Sequence, residues 1–125
     1  MPEYEEFMNI LKDAGINTEI GLECCADMED IYVDVVNTYH EEDNTKDLED
    51  ALQKKDLSLY GTYAHGVKSA SKSIGAMDFA ELAYSMELAG KEGNLEMIEK
   101  NHAHFLEEYK KVQDVLDKAL QTVEL

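Results

Sequence analysis

The placement of proline and glycine constrains the fold of this chain more than any other feature of its sequence. The one proline is at position 2, and the seven glycines lie mostly at the ends of segments with helical periodicity. Because both residues interrupt helices, a chain that keeps most of them at segment ends permits long helices. We therefore predict an all-α protein.

Apolar residues at helical spacing divide the chain into segments. They predict helices over residues 2–12, 27–41, 45–55, 57–74 and 77–91, with a short segment around Ile20. Asn44, Asp56 and Asn94 are predicted N-caps, and Gly75 and Gly93 are predicted C-terminal stops. On the 27–41 helix the predicted inward stripe is Met28, Ile31, Tyr32, Val35 and Tyr39.

The segment that starts at Leu95 has the most regular pattern. Its apolar seam alternates steps of three and four residues through Leu95, Ile98, His102, Phe105, Tyr109, Val112, Leu116 and Ala119. Such a seam packs against antiparallel helices. We predict an antiparallel up-and-down four-helix bundle with one or two accessory N-terminal helices. We expect one domain over residues 1–125, with an accessory segment at 1–26 and the bundle at 27–123.

Charge and composition exclude several classes of function. The net charge of −17 argues against nucleic-acid binding, which needs surplus Lys and Arg. No stretch approaches the ~20 apolar residues that span a bilayer, and the acidic residues 1–6 do not resemble a secretory signal. Cys24 and Cys25 are adjacent, which disfavours a disulfide between them, and we interpret them as buried or idle thiols of a cytoplasmic protein.

His65 is the residue with the clearest chemical potential. The predicted seam of its helix runs through Tyr60, Tyr63, Val67, Ala70 and Ile74. His65 then projects from the opposite side as an exposed mid-helix histidine. Its ring is largely neutral near pH 7, so one nitrogen keeps a lone pair for nucleophilic attack.

The neighbours of His65 are small or basic. Gly61 and Gly66 each cost about 1 kcal/mol relative to alanine inside a helix. We interpret them as access residues, a cleared patch over which the active site of a partner closes. Lys68 and Lys72 place positive charge on the same face, where it would offset a phosphoryl group.

The run Ala64-His65-Gly66-Val67-Lys68, followed by Gly75-Ala76 and Met86-Glu87, resembles the signature of histidine-containing phosphotransfer (HPt) domains. The resemblance extends over roughly residues 16–123. It implies a helical bundle without a nucleotide site, in which His65 is the phosphoacceptor and Lys68 stabilises the phosphoryl charge.

The resemblance also implies partners and cofactors. HPt domains carry phosphoryl groups between the receiver domains of response regulators and hybrid sensor histidine kinases. The protein would then be a monomeric phosphorelay intermediate, not an enzyme. It would need no cofactor of its own, because the partner receiver supplies Mg²⁺.

Two positions depart from the family pattern. Ser69 stands where glycine is usual, and its hydroxyl would be able to donate to a phosphoryl oxygen. Glu87 stands where some members place an amide. Its carboxylate would orient a neutral imidazole but repel the phosphorylated form.

Two alternatives remain at this stage. An HPt-like bundle could dock a receiver domain without transferring phosphate, although the retained His65 and Lys68 favour transfer. Glu99 and His102 form one Glu-x-x-His pair of the kind that di-iron bundles use, but those sites need a second pair. A hydrogen-bonded core position is the more common fate of a seam histidine such as His102.

Overall fold

A computed structural model describes residues 2–123, and all the regular structure in that range is helical. A 3₁₀ turn at Pro2–Tyr4 precedes seven α-helices. They are α1 (Glu5–Asp13), α2 (Thr18–Glu23), α3 (Glu29–Glu41), α4 (Thr45–Gln53), α5 (Leu57–Ile74), α6 (Met77–Lys91) and α7 (Leu95–Leu120). The all-α prediction is confirmed. None of the helices in residues 2–123 is both long enough and apolar enough to cross a membrane.

The ends of the longest helices follow the capping signals of the sequence. Asp56 and Asn94 accept hydrogen bonds from the backbone N–H groups of Leu59 and Met97 at the starts of α5 and α7. Gly75 ends α5 in the left-handed region, with φ of 88°. Asn44 is the N-cap residue of α4 as predicted, but its side chain makes no capping hydrogen bond, and the side chain of Asp43 accepts from the Thr45 N–H instead.

Helices α5 and α6 run antiparallel and approach closely. Gly61 of α5 lies beside Gly90 of α6, and His65 lies beside Glu87, so the pairing advances in opposite directions along the two helices. A Cβ atom on Gly90 would lie 2.7 Å from the Cα and N atoms of Gly61. The absence of side chains at both positions therefore lets the two backbones meet.

The remaining helices complete the core. Helix α3 packs against α5 and α7, and α6 packs against α5 and α7. Aromatic rings join these helices: Phe79 of α6 stacks on Phe105 and Tyr109 of α7, and Tyr109 meets Tyr39 of α3 edge to face. Helix α1 packs against α7, while α2 and α4 pack against α5.

The predicted inward stripe of α3 is partly wrong. Met28 and Ile31 are exposed, whereas Val33 and Val36 are buried beside the correctly predicted Tyr32 and Tyr39. The hydroxyl of Tyr32 donates to the Ile74 carbonyl at 2.7 Å, and the hydroxyl of Tyr39 lies 2.8 Å from that of Ser71. These two hydrogen bonds to α5 accompany an orientation of α3 that buries Val33 and Val36.

Candidate functional site

His65 lies near the middle of α5, on the side away from the core. Its side chain is 54% exposed, while Tyr60, Ala64 and Val67 on the same helix are buried. The exposure of His65 agrees with the prediction, but the predicted apolar seam of α5 is only partly correct. Ala70 is exposed, whereas Ser71 is buried and its hydroxyl is hydrogen-bonded to that of Tyr39.

Glu87 of α6 is hydrogen-bonded to one nitrogen of the His65 ring. The Nδ1 atom of His65 lies 3.1 Å from Glu87 Oε2. The Glu87 side chain is only 3% exposed, so this carboxylate lies under the histidine rather than beside it in solvent. The closeness of α5 and α6 at Gly61 and Gly90, one turn along each helix, brings the two side chains within hydrogen-bond range.

Two lysines surround the same carboxylate. Lys91 Nζ donates to Glu87 Oε2 at 2.6 Å, and Lys68 Nζ lies 2.8 Å from Glu87 Oε1. Burial alone would raise the pKa of the Glu87 carboxyl. The contacts with Lys68, Lys91 and His65 outweigh that effect and lower its pKa to about 2. Glu87 is therefore an anion near neutral pH.

The ionised state of Glu87 fixes the tautomer of a neutral His65. A carboxylate can only accept hydrogen bonds, so Nδ1 must carry the proton that it donates to Oε2. In a neutral imidazole the other nitrogen, Nε2, then has the lone pair. The site presents a half-exposed imidazole whose nucleophilic atom is Nε2.

Lys68 is held near the histidine by a second contact. Its side chain is 14% exposed, and its Nζ lies over the ring of Tyr84, 5.1 Å from the centroid. Tyr84 is itself 43% exposed on α6. A cation over an aromatic face gains electrostatic stabilisation, so the ring helps to keep Lys68 at the site.

Sequence reasoning missed Lys91 and Tyr84. Lys91 follows Glu87 by four residues on one helix, and a Glu-to-Lys pair with this spacing is a recognisable signal for an ion pair. Nothing in the local pattern indicated Tyr84, because its contact with Lys68 joins two helices.

The other predicted site residues have different surroundings. The interpretation of Gly61 as an access residue is wrong, because Gly61 is buried against Gly90. Gly66 is exposed, and a Cβ atom there would meet nothing within 4 Å. Ser69 and Lys72 are exposed on α5, and Lys72 has no ion pair among residues 2–123. The proposed roles of Gly66, Ser69 and Lys72 stay predictions.

The other histidines are placed apart from this cluster. The Nδ1 atom of His102 lies 2.8 Å from the Tyr60 hydroxyl, and burial lowers the His102 pKa. This confirms a hydrogen-bonded position for His102. His40 Nε2 lies 3.8 Å from Asp117 Oδ1, and His104 is exposed on α7.

Both cysteines are free thiols: Cys25 is buried, which raises its pKa, whereas Cys24 is exposed. Within the described range, no three His, Cys, Asp or Glu side chains come together as a potential metal site.

The chain matches the model of a known protein family. The family model of the Hpt domain matches residues 40–124, which include His65, Lys68, Glu87 and Lys91. Searches among curated proteins and among solved structures each returned no match. The family match covers more than half of the chain and agrees with the resemblance read from the sequence. The chain therefore belongs to the Hpt domain family, whose members are phosphotransfer carriers in two-component systems.

Proposed function

We propose that this protein is a phosphohistidine carrier in a phosphorelay. It accepts a phosphoryl group on His65 from the aspartate of one receiver domain and passes it to a second receiver. The observation that carries the proposal is the hydrogen bond from His65 Nδ1 to the buried, ionised Glu87, which leaves the lone pair on Nε2 of an exposed ring.

The transfer step needs no proton movement at His65. The Nε2 lone pair forms a bond to phosphorus while the P–O bond of the receiver's acyl phosphate breaks, and its electron pair leaves with the aspartate oxygen. The product is an N-phosphoryl imidazolium whose Nδ1 proton stays on the bond to Glu87. Reversal of the same step delivers the phosphoryl group to the next receiver.

The positive charges at the site support this role. Lys68 and Lys91 outnumber the single carboxylate of Glu87, so the cluster with neutral His65 carries one excess positive charge. This positive charge is present at the site before a phosphoryl group arrives. We infer that Lys68 stabilises the phosphoryl charge and that the receiver supplies the Mg²⁺, while this protein contributes no cofactor.

We also propose the arrangement of the bundle and the setting of the protein. Helices α3, α5, α6 and α7 each contact two others of the four, which supports an antiparallel four-helix bundle with α1 and α2 as accessory helices. The proposed partners are receiver domains and hybrid sensor histidine kinases. We propose a cytoplasmic monomer.

The test follows radioactive phosphate from receiver to carrier. Each receiver domain of the source genome is phosphorylated with ³²P-acetyl phosphate and mixed with wild type, His65→Gln or the control His104→Gln, which changes an exposed histidine on α7. We expect acid-labile, base-stable label on wild type and His104→Gln, and none on His65→Gln.

Label on His65→Gln would overturn the assignment of the phosphoacceptor. If wild type binds a receiver tightly but takes no label from any of them, the protein is a docking module instead.

A further inference from the structure

The two lysines hold the Glu87 carboxylate in different ways. Lys91 Nζ makes a 2.6 Å hydrogen bond to Oε2, the oxygen that also binds His65. Lys68 Nζ is 2.8 Å from Oε1, but Oε1 is buried and accepts no well-directed hydrogen bond from any described residue. The contact of Lys68 with Glu87 is therefore the less directional of the two.

The positions of the two lysines along the chain also distinguish their contacts with Glu87. Lys91 is on α6, four residues after Glu87, so it belongs to the helix that holds the carboxylate. Lys68 is on α5, three residues after His65 and on the same face of that helix. The lysine best placed to leave Glu87 for a group attached to His65 is Lys68.

We propose that Lys91 is a positioning residue that keeps Glu87 neutralised while Lys68 turns from Glu87 to the phosphoryl group on His65. This inference rests on the proposed function of His65. A buried carboxylate without a neighbouring cation costs free energy. Because Lys91 stays beside Glu87, the phosphorylated state does not incur this cost when Lys68 moves away. The phosphoryl group then gains a full lysine charge, and Glu87 remains paired with Lys91 and the imidazolium.

The experiment measures how phosphate is shared at equilibrium between the protein and a receiver that labels it. The variants are Lys91→Gln and, as a matched control, Lys110→Gln, which breaks the exposed Lys110–Asp114 pair of the same spacing on α7. We expect Lys91→Gln to lower the ratio of phosphohistidine to phosphoaspartate on the order of tenfold. We expect Lys110→Gln to leave this ratio unchanged.

Two further measurements separate this role from others. The ¹⁵N shifts of the unphosphorylated His65 ring should keep the Nδ1–H signature in Lys91→Gln, because Lys68 still compensates Glu87 in that state. In a Glu87→Gln background the effect of Lys91→Gln should disappear, since a neutral amide needs no compensating cation.

A wild-type ratio in Lys91→Gln would overturn the inference while leaving the proposed function intact. An equal loss with and without Glu87 would also overturn it, because Lys91 would then act on the phosphoryl group directly. If wild type forms no phosphohistidine with any receiver, the proposed function fails and this inference fails with it.

Discussion

At the scale of single residues, the chemistry of the site depends on a charge that is hidden from solvent. Glu87 is buried beneath an exposed histidine, and three neighbours on two helices keep it ionised. The sequence predicted His65 and its exposure from local spacing alone. The family resemblance indicated Glu87 but not Lys91. Spacing of four residues on one helix indicates an ion pair between the two, but it does not indicate that the carboxylate of that pair is buried beneath a histidine of another helix.

Glu87 should make the stability of the protein sensitive to acid. Its pKa falls from 4.5 to about 2 on folding, so the unfolded chain binds more protons between these values. The stabilisation is complete above pH ~4.5 and is lost as the pH falls toward 2. Glu87→Gln lacks this contribution, and the other carboxyl groups titrate in both proteins.

Urea unfolding at a series of pH values would measure this difference. We expect the gap in unfolding free energy between wild type and Glu87→Gln to be constant above about pH 5 and to shrink below it. A gap that stays constant down to pH 2 would mean that Glu87 is not stabilised as an anion in the folded protein.

At the scale of helices, local signals predicted boundaries better than orientations. The predicted range of α6, residues 77–91, matches the observed helix, and the caps of α5 and α7 lie where the sequence placed them. The stripe of α3 was misassigned because Ile31, Tyr32, Val33, Val35 and Val36 are nearly continuous, so two overlapping faces satisfy helical spacing. Hydrogen bonds from α3 to distant residues are not visible in that pattern.

Replacement of a glycine should destabilise the protein at the contact between α5 and α6 but not at an exposed position of α5. Gly90→Ala would push a methyl group against the backbone of Gly61, and we expect a loss of about 1–3 kcal/mol in unfolding free energy. Gly66→Ala is the matched control, because a Cβ atom there meets nothing. It should stabilise the protein by about 0.5–1 kcal/mol through helix propensity.

Chemical denaturation of both variants would measure the two effects. Equal changes of the same sign would show that the Gly61–Gly90 contact does not limit the approach of the helices.

At the scale of the whole molecule, the core extends beyond the segment that the family model matches. The match begins at residue 40, yet Phe7 and Leu11 of α1 and Tyr32 of α3 have no exposed surface. The ring of Phe7 meets that of Tyr32 edge to face. The sequence predicted accessory helices in this region, but it could not indicate how deeply they are buried, because their partners on α7 lie far along the chain.

We therefore expect the N-terminal region to contribute to global stability. Phe7→Ala should lower the unfolding free energy by about 3–5 kcal/mol, as expected for a fully buried phenylalanine. Met28→Ala, which truncates an exposed side chain before α3, is the control and should change it by less than about 0.5 kcal/mol. Thermal or urea unfolding followed by circular dichroism would measure both. A small effect of Phe7→Ala would indicate that α1 detaches before the rest of the protein unfolds.

The Gly61–Gly90 contact adds positions whose substitution can change the surroundings of His65. The ring of His65 and the buried carboxylate of Glu87 are each one turn from a glycine of this contact, so the 3.1 Å separation of Nδ1 and Oε2 depends on the spacing between the helices. A methyl group added at Gly90 would press on the backbone of Gly61, and we expect it to change the Nδ1–Oε2 separation without contacting His65 or Glu87. If His65 carries the phosphoryl group as proposed, the rate of transfer would therefore depend on residues that have no functional group.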